Sequence, residues 1–126
     1  MNLFISIALL LQLFSAGSEF PSKDKYQLVW TDEFNTDGAP DTTNWVYDIG
    51  TGHNGWGNNE LQYYTNRVDN VRVKDGSLVI DAIKQDGKWT SARLKSQGKR
   101  NWVYGKFEFR AKLPVGKGTW PALWML

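Results

Sequence analysis

Apolar and polar positions alternate with a period of two along much of this chain. The longest run is 102–113, where Gly105, Phe107, Phe109, Ala111 and Leu113 fall on one side and Lys106, Glu108, Arg110 and Lys112 on the other. Successive side chains of a strand point to opposite faces, so this run predicts a strand with one face in the core and one in water. Glu108 and Arg110 then read as a solvated pair of little energetic weight. Shorter extended segments are expected at 26–30, 45–49, 61–65, 70–73 and 77–83. Turn chemistry separates them. Gly38-Ala39-Pro40-Asp41 is a turn by composition, and residues 50–59 form a Gly- and Asn-rich loop carrying His53 and Trp56. Lys74-Asp75-Gly76 and Gln85-Asp86-Gly87-Lys88 carry the Asp-Gly signal of a hairpin. Turns at intervals of about ten residues, with no convincing helix, predict an all-β sandwich or barrel.

The final stretch, 116–126, is the most informative. As a strand it would set Trp120, Ala122, Trp124 and Leu126 on one face and Pro121, Leu123 and Met125 on the other. Two indoles four residues apart would stand about 13 Å apart at roughly 3.3 Å per residue, a spacing that suits an extended sugar chain better than one small ligand. No turn residue closes this apolar run, so the chain reads as cut short in mid-strand.

The other end has a different character. Residues 3–14 are apolar apart from Ser6 and Gln12, and Ser15, Ala16 and Gly17 follow. The run is too short to span a membrane, which takes roughly 20 residues. It reads instead as a secretory signal peptide over 1–17, although no Lys or Arg precedes its apolar core. Residues 18–25 then form a short linker and 26–126 the domain, or part of one. An extracellular or periplasmic location follows. The 126 residues contain no cysteine, so packing or a metal must do what disulfides do in many secreted domains. The net charge of +2 is well mixed, which argues against nucleic acid as a partner. Seven Trp and five Tyr are many for so short a chain, and such rings serve both cores and exposed sites with polar rims. His53 stands alone in its loop without a ligand partner at metal spacing, which favours a solvent-exposed position.

Several blocks, taken in order, carry a resemblance. They are Trp30-Thr31-Asp32-Glu33-Phe34, then Gly55-Trp56-Gly57-Asn58-Asn59-Glu60-Leu61-Gln62-Tyr63-Tyr64-Thr65, then Ser91-Ala92-Arg93, then Tyr104-Gly105-Lys106-Phe107-Glu108-Phe109-Arg110-Ala111, and last Trp120-Pro121-Ala122-Leu123-Trp124-Met125. Together they resemble glycoside hydrolase family 16, and within it the endo-β-1,3-glucanases called laminarinases. The resemblance implies a β-jelly-roll sandwich of the concanavalin A-like kind, here its N-terminal half, with a polysaccharide cleft across the concave face. It also implies a catalytic E-x-D-x-x-E strand after the Trp-Pro-Ala block, and no such triplet exists among these residues. Residues i and i+2 share a strand face and one bulged residue brings i+5 onto it, which lets three carboxyl groups enter one cleft.

What carries over is therefore substrate contact rather than catalysis. Asn58, Arg93, Trp120 and Trp124 match residues lining the donor side of the cleft, with Trp56 and Tyr63 as further contacts. An amide and a guanidinium suit sugar hydroxyls, and indoles suit the apolar faces of sugar rings. The competing roles are a core position for Trp124 and simple pairing with a carboxylate for Arg93. Glu33 and Gly76 match a structural calcium site; no cofactor is required for the catalysis itself. The resemblance thus implies a secreted enzyme that hydrolyses β-1,3-glucan of the laminarin type, or mixed-linkage β-glucan, with retention. Its partner would be a β-glucan, it would have no membrane span, and it would be a monomer when complete. On its own this stretch is expected to be inactive. The alternative is a non-catalytic β-glucan recognition protein of the same fold. N-terminal sequencing of exported material should begin between Gly17 and Phe20; a mature protein that keeps residues 3–14 would overturn the assigned location.

Overall fold

A computed structural model describes residues 26–125, so the expected signal peptide and linker lie outside the described residues. Seven short strands follow in chain order: β1 (Val46–Asp48), β2 (Gln62–Tyr64), β3 (Val71–Lys74), β4 (Ser77–Ile80), β5 (Ile83–Gln85), β6 (Lys88–Ser91) and β7 (Arg93–Lys95). A single three-residue turn at Gly55–Gly57 is the only helical element among the described residues. The all-β expectation holds. The strands pair as β1-β7, as β2-β6-β5 and as β3-β4.

The two Asp-Gly signals make the hairpins expected of them. Lys74 pairs with Ser77 and Gln85 with Lys88, leaving two-residue loops. Asp75 and Gly76 have φ of 49° and 71°, Asp86 and Gly87 of 50° and 77°. Positive φ at both central positions marks the type I′ turn, whose twist matches that of the flanking strands. Along β3 the period of two is visible in burial: Val71 and Val73 are 2% and 4% exposed while Arg72 between them is half-buried.

One expected strand divides. Residues 77–83 do not run through as one strand: the β3-β4 register ends at Asp81, whose N–H donates to the Asn70 carbonyl at 2.9 Å and whose carboxylate meets Arg72 at 2.8 Å, and β5 begins at Ile83. After this break β5 takes β6 as its neighbour. A second break falls at buried Ala92. On one side β6 pairs with β2 and β5; on the other β7 pairs with β1. Residues 88–95 are thus one extended run shared between two sheets.

Asn70 fastens these parts together. It is fully buried, and its side-chain oxygen accepts from the Thr65 hydroxyl at 2.6 Å and from Arg67 at 3.2 Å. Its Nδ2 donates to the Asp81 carbonyl at 3.2 Å and to the Thr90 hydroxyl at 3.1 Å. The amide therefore ties the β3-β4 hairpin to β6 and to the residue after β2, with its hydrogen-bonding capacity filled.

Three expected strands do not appear as strands. Residues 26–30, 102–113 and 116–125 pair with no described neighbour. The face expected to be core in 102–113 is open, with Phe107, Phe109 and Leu113 at 36%, 57% and 55% exposure. Alternation specifies which side chains share a face, but a ladder also needs a partner backbone. Two of these segments are instead attached through rings. Trp30 meets Trp45 edge-on at 6.0 Å and Trp102 at 5.4 Å, Trp102 meets Phe107 at 5.8 Å, and Phe34 stacks on Trp45 at 6.3 Å. The indole N–H of Trp45 donates to Asp32 at 2.7 Å, and that of Trp30 to Asn44 at 3.3 Å.

Replacing Asn70 by Ala leaves the Asp81 carbonyl without its side-chain donor and the Thr65 hydroxyl without its acceptor, and removes one partner each from Arg67 and Thr90, which keep their bond to each other. The expected loss is about 2–4 kcal/mol of unfolding free energy, the scale for orphaned buried polar groups. Urea titration of the protein expressed from its full reading frame measures it, and a loss below about 0.5 kcal/mol, the scale of surface substitutions, would contradict this role for Asn70.

Candidate functional site

The loop before β2, together with β2, β7 and the chain near Trp124, builds one cluster. Its foundation is a turn of the wrong hand. Asn54, Gly55, Trp56 and Gly57 have φ of 51°, 54°, 56° and 82° in succession. Left-handed backbone costs an ordinary L-residue about 1–2 kcal/mol, and here a bulky Trp adopts it. The turn is held by Gly57 N–H to the Asn54 carbonyl at 3.1 Å, and by the Asn58 and Glu60 N–H groups to the Gly55 carbonyl at 3.0 and 3.1 Å. The indole of Trp56 then lies against Gly52, where any Cβ would run into the ring. Its N–H is buried and has no partner among the described residues.

Arg93, on β7, contacts two indoles. Its guanidinium carbon is 4.3 Å from the ring centre of Trp56 and 5.3 Å from that of Trp124. Cation–π contacts of this kind contribute about 0.5–2 kcal/mol each, more as water is excluded. Strand pairing places Asp48 of β1 opposite Arg93, and its carboxylate meets Arg93 Nε at 3.1 Å and Lys95 Nζ at 2.6 Å. Arg93 thus both pairs with a carboxylate and stacks. The carboxylate pairing considered for it from sequence is present, through Nε.

Beneath this stack a carboxylate gathers donors. Glu60 accepts from Asn58 Nδ2 at 3.3 Å, Gln62 Nε2 at 2.5 Å and the Tyr64 hydroxyl at 2.7 Å. Tyr64 also packs on Trp56, ring centres 5.8 Å apart. Burial alone would raise the pKa of Glu60, but the hydrogen bonds from Tyr64, Asn58 and Gln62 and the charge of Arg93 outweigh it and hold the carboxyl below its ordinary value. Tyr64 moves the other way. Burial first, then the bond to Glu60 and its negative charge, push the phenol up to about 12.

Of the residues singled out from sequence, the structure joins Trp56, Arg93 and Trp124 directly and Asn58 through Glu60. Trp124 is 54% exposed. Trp120 is 82% exposed and makes no aromatic or cation–π contact among the described residues. Tyr63 alternates away from Gln62 and Tyr64 and lines a separate open hollow of about 480 Å³ with Leu61, Lys84, Lys88 and Trp89. His53 is exposed, as expected. Glu33 accepts from the Thr31 hydroxyl at 2.5 Å, and Gly76 sits in the β3-β4 turn. They offer a hard cation two of the six to eight oxygens it takes, and no group of three or more acidic, His or Cys side chains suited to a metal occurs among the described residues. Glu60, Gln62, Tyr64 and Asp48 were not singled out from sequence. The signal for the first three was present: positions 60, 62 and 64 share one face of an extended segment.

An all-β domain with an exposed face of indoles, amides and a fixed guanidinium is the class that fold and site define. Residues 58–126 match the family described as Glycosyl hydrolases family 16. The beta-glucanase of Rhodothermus marinus is 56% identical over 105 residues, covering 80% of this chain and 36% of that protein. The glucan endo-1,3-beta-glucosidase of Cryptopygus antarcticus is 49% identical over 108 residues, covering 79% of this chain and 38% of that one. Among solved structures, a mutant of a non-specific endo-β-1,3(4)-glucanase of the same family matches with a TM-score of 0.59 at 47% identity, over 64% of this chain and 36% of that chain. That structure presents 1,3-β-D-cellobiosyl-glucose at its active site. The chain belongs to glycoside hydrolase family 16, and its fold is part of that family's β-jelly-roll sandwich. It spans rather more than a third of the length of these curated relatives.

The two opposed pKa shifts set opposite pH dependences. A depressed carboxyl contributes stability that is present above its unfolded value and lost as pH falls through the folded one. A raised phenol contributes stability that is complete below its unfolded value near 10 and lost as pH rises toward about 12. Stability should therefore decline in the alkaline range from about pH 10 to 12, and Tyr64→Phe should flatten that decline. Ultraviolet titration of the phenols, read beside thermal melting, checks it; a Tyr64 that titrates near 10 with no change in melting would contradict the assignment.

Proposed function

We propose that this protein is an exported endo-glucanase that hydrolyses β-1,3-glucan of the laminarin type, or mixed-linkage β-glucan, with retention of configuration. The observation that carries the reading is the stack of Trp56, Arg93 and Trp124 beside Asn58, in a chain 56% identical to a beta-glucanase. Indoles cover the apolar faces of pyranose rings, and the amide and guanidinium bond their hydroxyls. In this reading Asn58, Arg93, Trp56 and Trp124 contact the sugar directly. Trp120, exposed and free to stack, extends the platform, and Tyr63 serves from its own hollow. The apolar segment at residues 3–14 supports export.

Retaining hydrolysis needs two carboxyl groups about 5–5.5 Å apart, one ionised to attack and one protonated to assist the leaving oxygen. Since the E-x-D-x-x-E triplet is not among the 126 residues, the test uses the protein expressed from its full reading frame. It should release reducing sugar from laminarin, and proton NMR should show the first product as the β-anomer. Trp124→Ala should lower kcat/KM on laminarin by about ten- to a hundredfold, the cost of about 1–3 kcal/mol for an aromatic platform. Binding without any release would replace this reading by glucan recognition, and an α-anomer would remove retention.

A further inference from the structure

We propose that Glu60 is a positioning residue that fixes which end of the Asn58 amide faces a bound sugar, an inference that rests on the glucan reading and deepens it. Three donors converge on the Glu60 carboxylate: Asn58 Nδ2, Gln62 Nε2 and the Tyr64 hydroxyl. An ionised carboxylate only accepts, so each of these groups must present hydrogen to it. For Asn58, which is itself exposed, this turns Nδ2 inward and leaves Oδ1 to face outward as an acceptor. Arg93 is constrained in the complementary sense. Its Nε faces Asp48 at 3.1 Å and its guanidinium carbon lies 4.3 Å from the Trp56 ring centre and 5.3 Å from that of Trp124. No hydrogen bond among the described residues engages its two terminal nitrogens, which remain donors.

The two residues near Glu60 therefore present one acceptor, on Asn58, and a fork of donors, on Arg93. The ligand feature that answers both is a pair of neighbouring hydroxyls, one donating to Asn58 and one accepting from Arg93. The rest of the clamp has the same logic. A neutral amide at position 60 would offer one oxygen to three donors and add two hydrogens of its own. Relief is available through the exposed Asn58, whose amide would rotate and present Nδ2 to the sugar in place of Oδ1. The sense of the contact would reverse while the fold and the stacked rings remained.

Glu60→Gln, made in the protein expressed from the full reading frame, should bind a β-1,3-linked glucotetraose about tenfold more weakly by calorimetry, the scale of one hydrogen bond. In an Asn58→Ala background the same change should have no further effect, because Glu60 acts through the Asn58 amide. Equal losses in both backgrounds would overturn the inference by showing that Glu60 supports packing generally. Wild-type affinity in Glu60→Gln would overturn it too. A wild-type protein that binds no tetraose would instead defeat the glucan reading. Should Glu60→Gln fail to fold, nitrogen NMR of the wild type decides. The side-chain amides of Asn58 and Gln62 should then shift with one common midpoint as the carboxyl is protonated; among the described residues Tyr64 and Arg93 are the titratable groups acting on Glu60. Separate midpoints would overturn the inference.

Discussion

Burying one uncharged amide holds this fold together. The side chain of Asn70 has no exposure and spends its acceptor on Thr65 and Arg67 and its donors on Asp81 and Thr90. An unfilled buried amide would cost more than most single contacts contribute, so the four partners must arrive together or not at all. That requirement fixes the distance between the β3-β4 hairpin and β6. Asn70 also receives the last bond of the β3-β4 ladder, from the Asp81 N–H. Among the described residues the other large fully buried side chains are Val71 and Pro40. Four hydrogen bonds from one amide thus set the arrangement of β3, β4 and β6.

The same economy explains why the site forms where it does. Residues 88–95 run through two sheets, and buried Ala92 is the point at which the chain changes neighbours. A larger side chain there would press the two ladders apart. Arg93 is the first residue past that point, so its direction follows from the break. Asp48 then holds it from β1, and the Trp56 loop approaches it from β2 through the isolated Gly50 to Tyr64 bridge. The guanidinium is thus located by three backbone segments, which is what keeping a polar contact still on an otherwise open surface demands.

Much of this was legible in the sequence, for reasons that differ from element to element. Both hairpins could be read because Asp-Gly encodes its own backbone conformation and needs nothing distant. β1, β2 and β3 could be read because their alternation coincides with local turn signals. The face assignments in 102–113 could be read as a pattern, but whether that pattern becomes a ladder depends on a partner strand, which no local signal supplies. The site was half visible. Trp56, Arg93, Trp124 and Asn58 followed from the resemblance, while Glu60 and Asp48 looked like two ordinary carboxylates among many. What distinguishes them is convergence: three donors on one and two cations on the other, from residues up to 47 positions apart in the case of Asp48 and Lys95.

The left-handed turn at Asn54 to Gly57 brings these threads together. A Trp with φ of 56° is strained wherever it occurs, and a loop free to relax would not keep it. Two features prevent relaxation. Gly52 leaves room for the indole to lie flat against backbone, and the Gly55 carbonyl accepts N–H groups from both Asn58 and Glu60. The second feature couples strain to chemistry, since Asn58 and Glu60 are also the two ends of the amide-carboxylate contact. Loosening the turn would release the indole from Arg93 and the amide from Glu60 in one motion. The strained backbone is therefore a shared support for the apolar and the polar halves of the cluster. That gives a physical reason for Gly-Trp-Gly-Asn-Asn-Glu to occur as an unbroken run: residues whose side chains build the cluster and residues that hold the backbone lie within six positions.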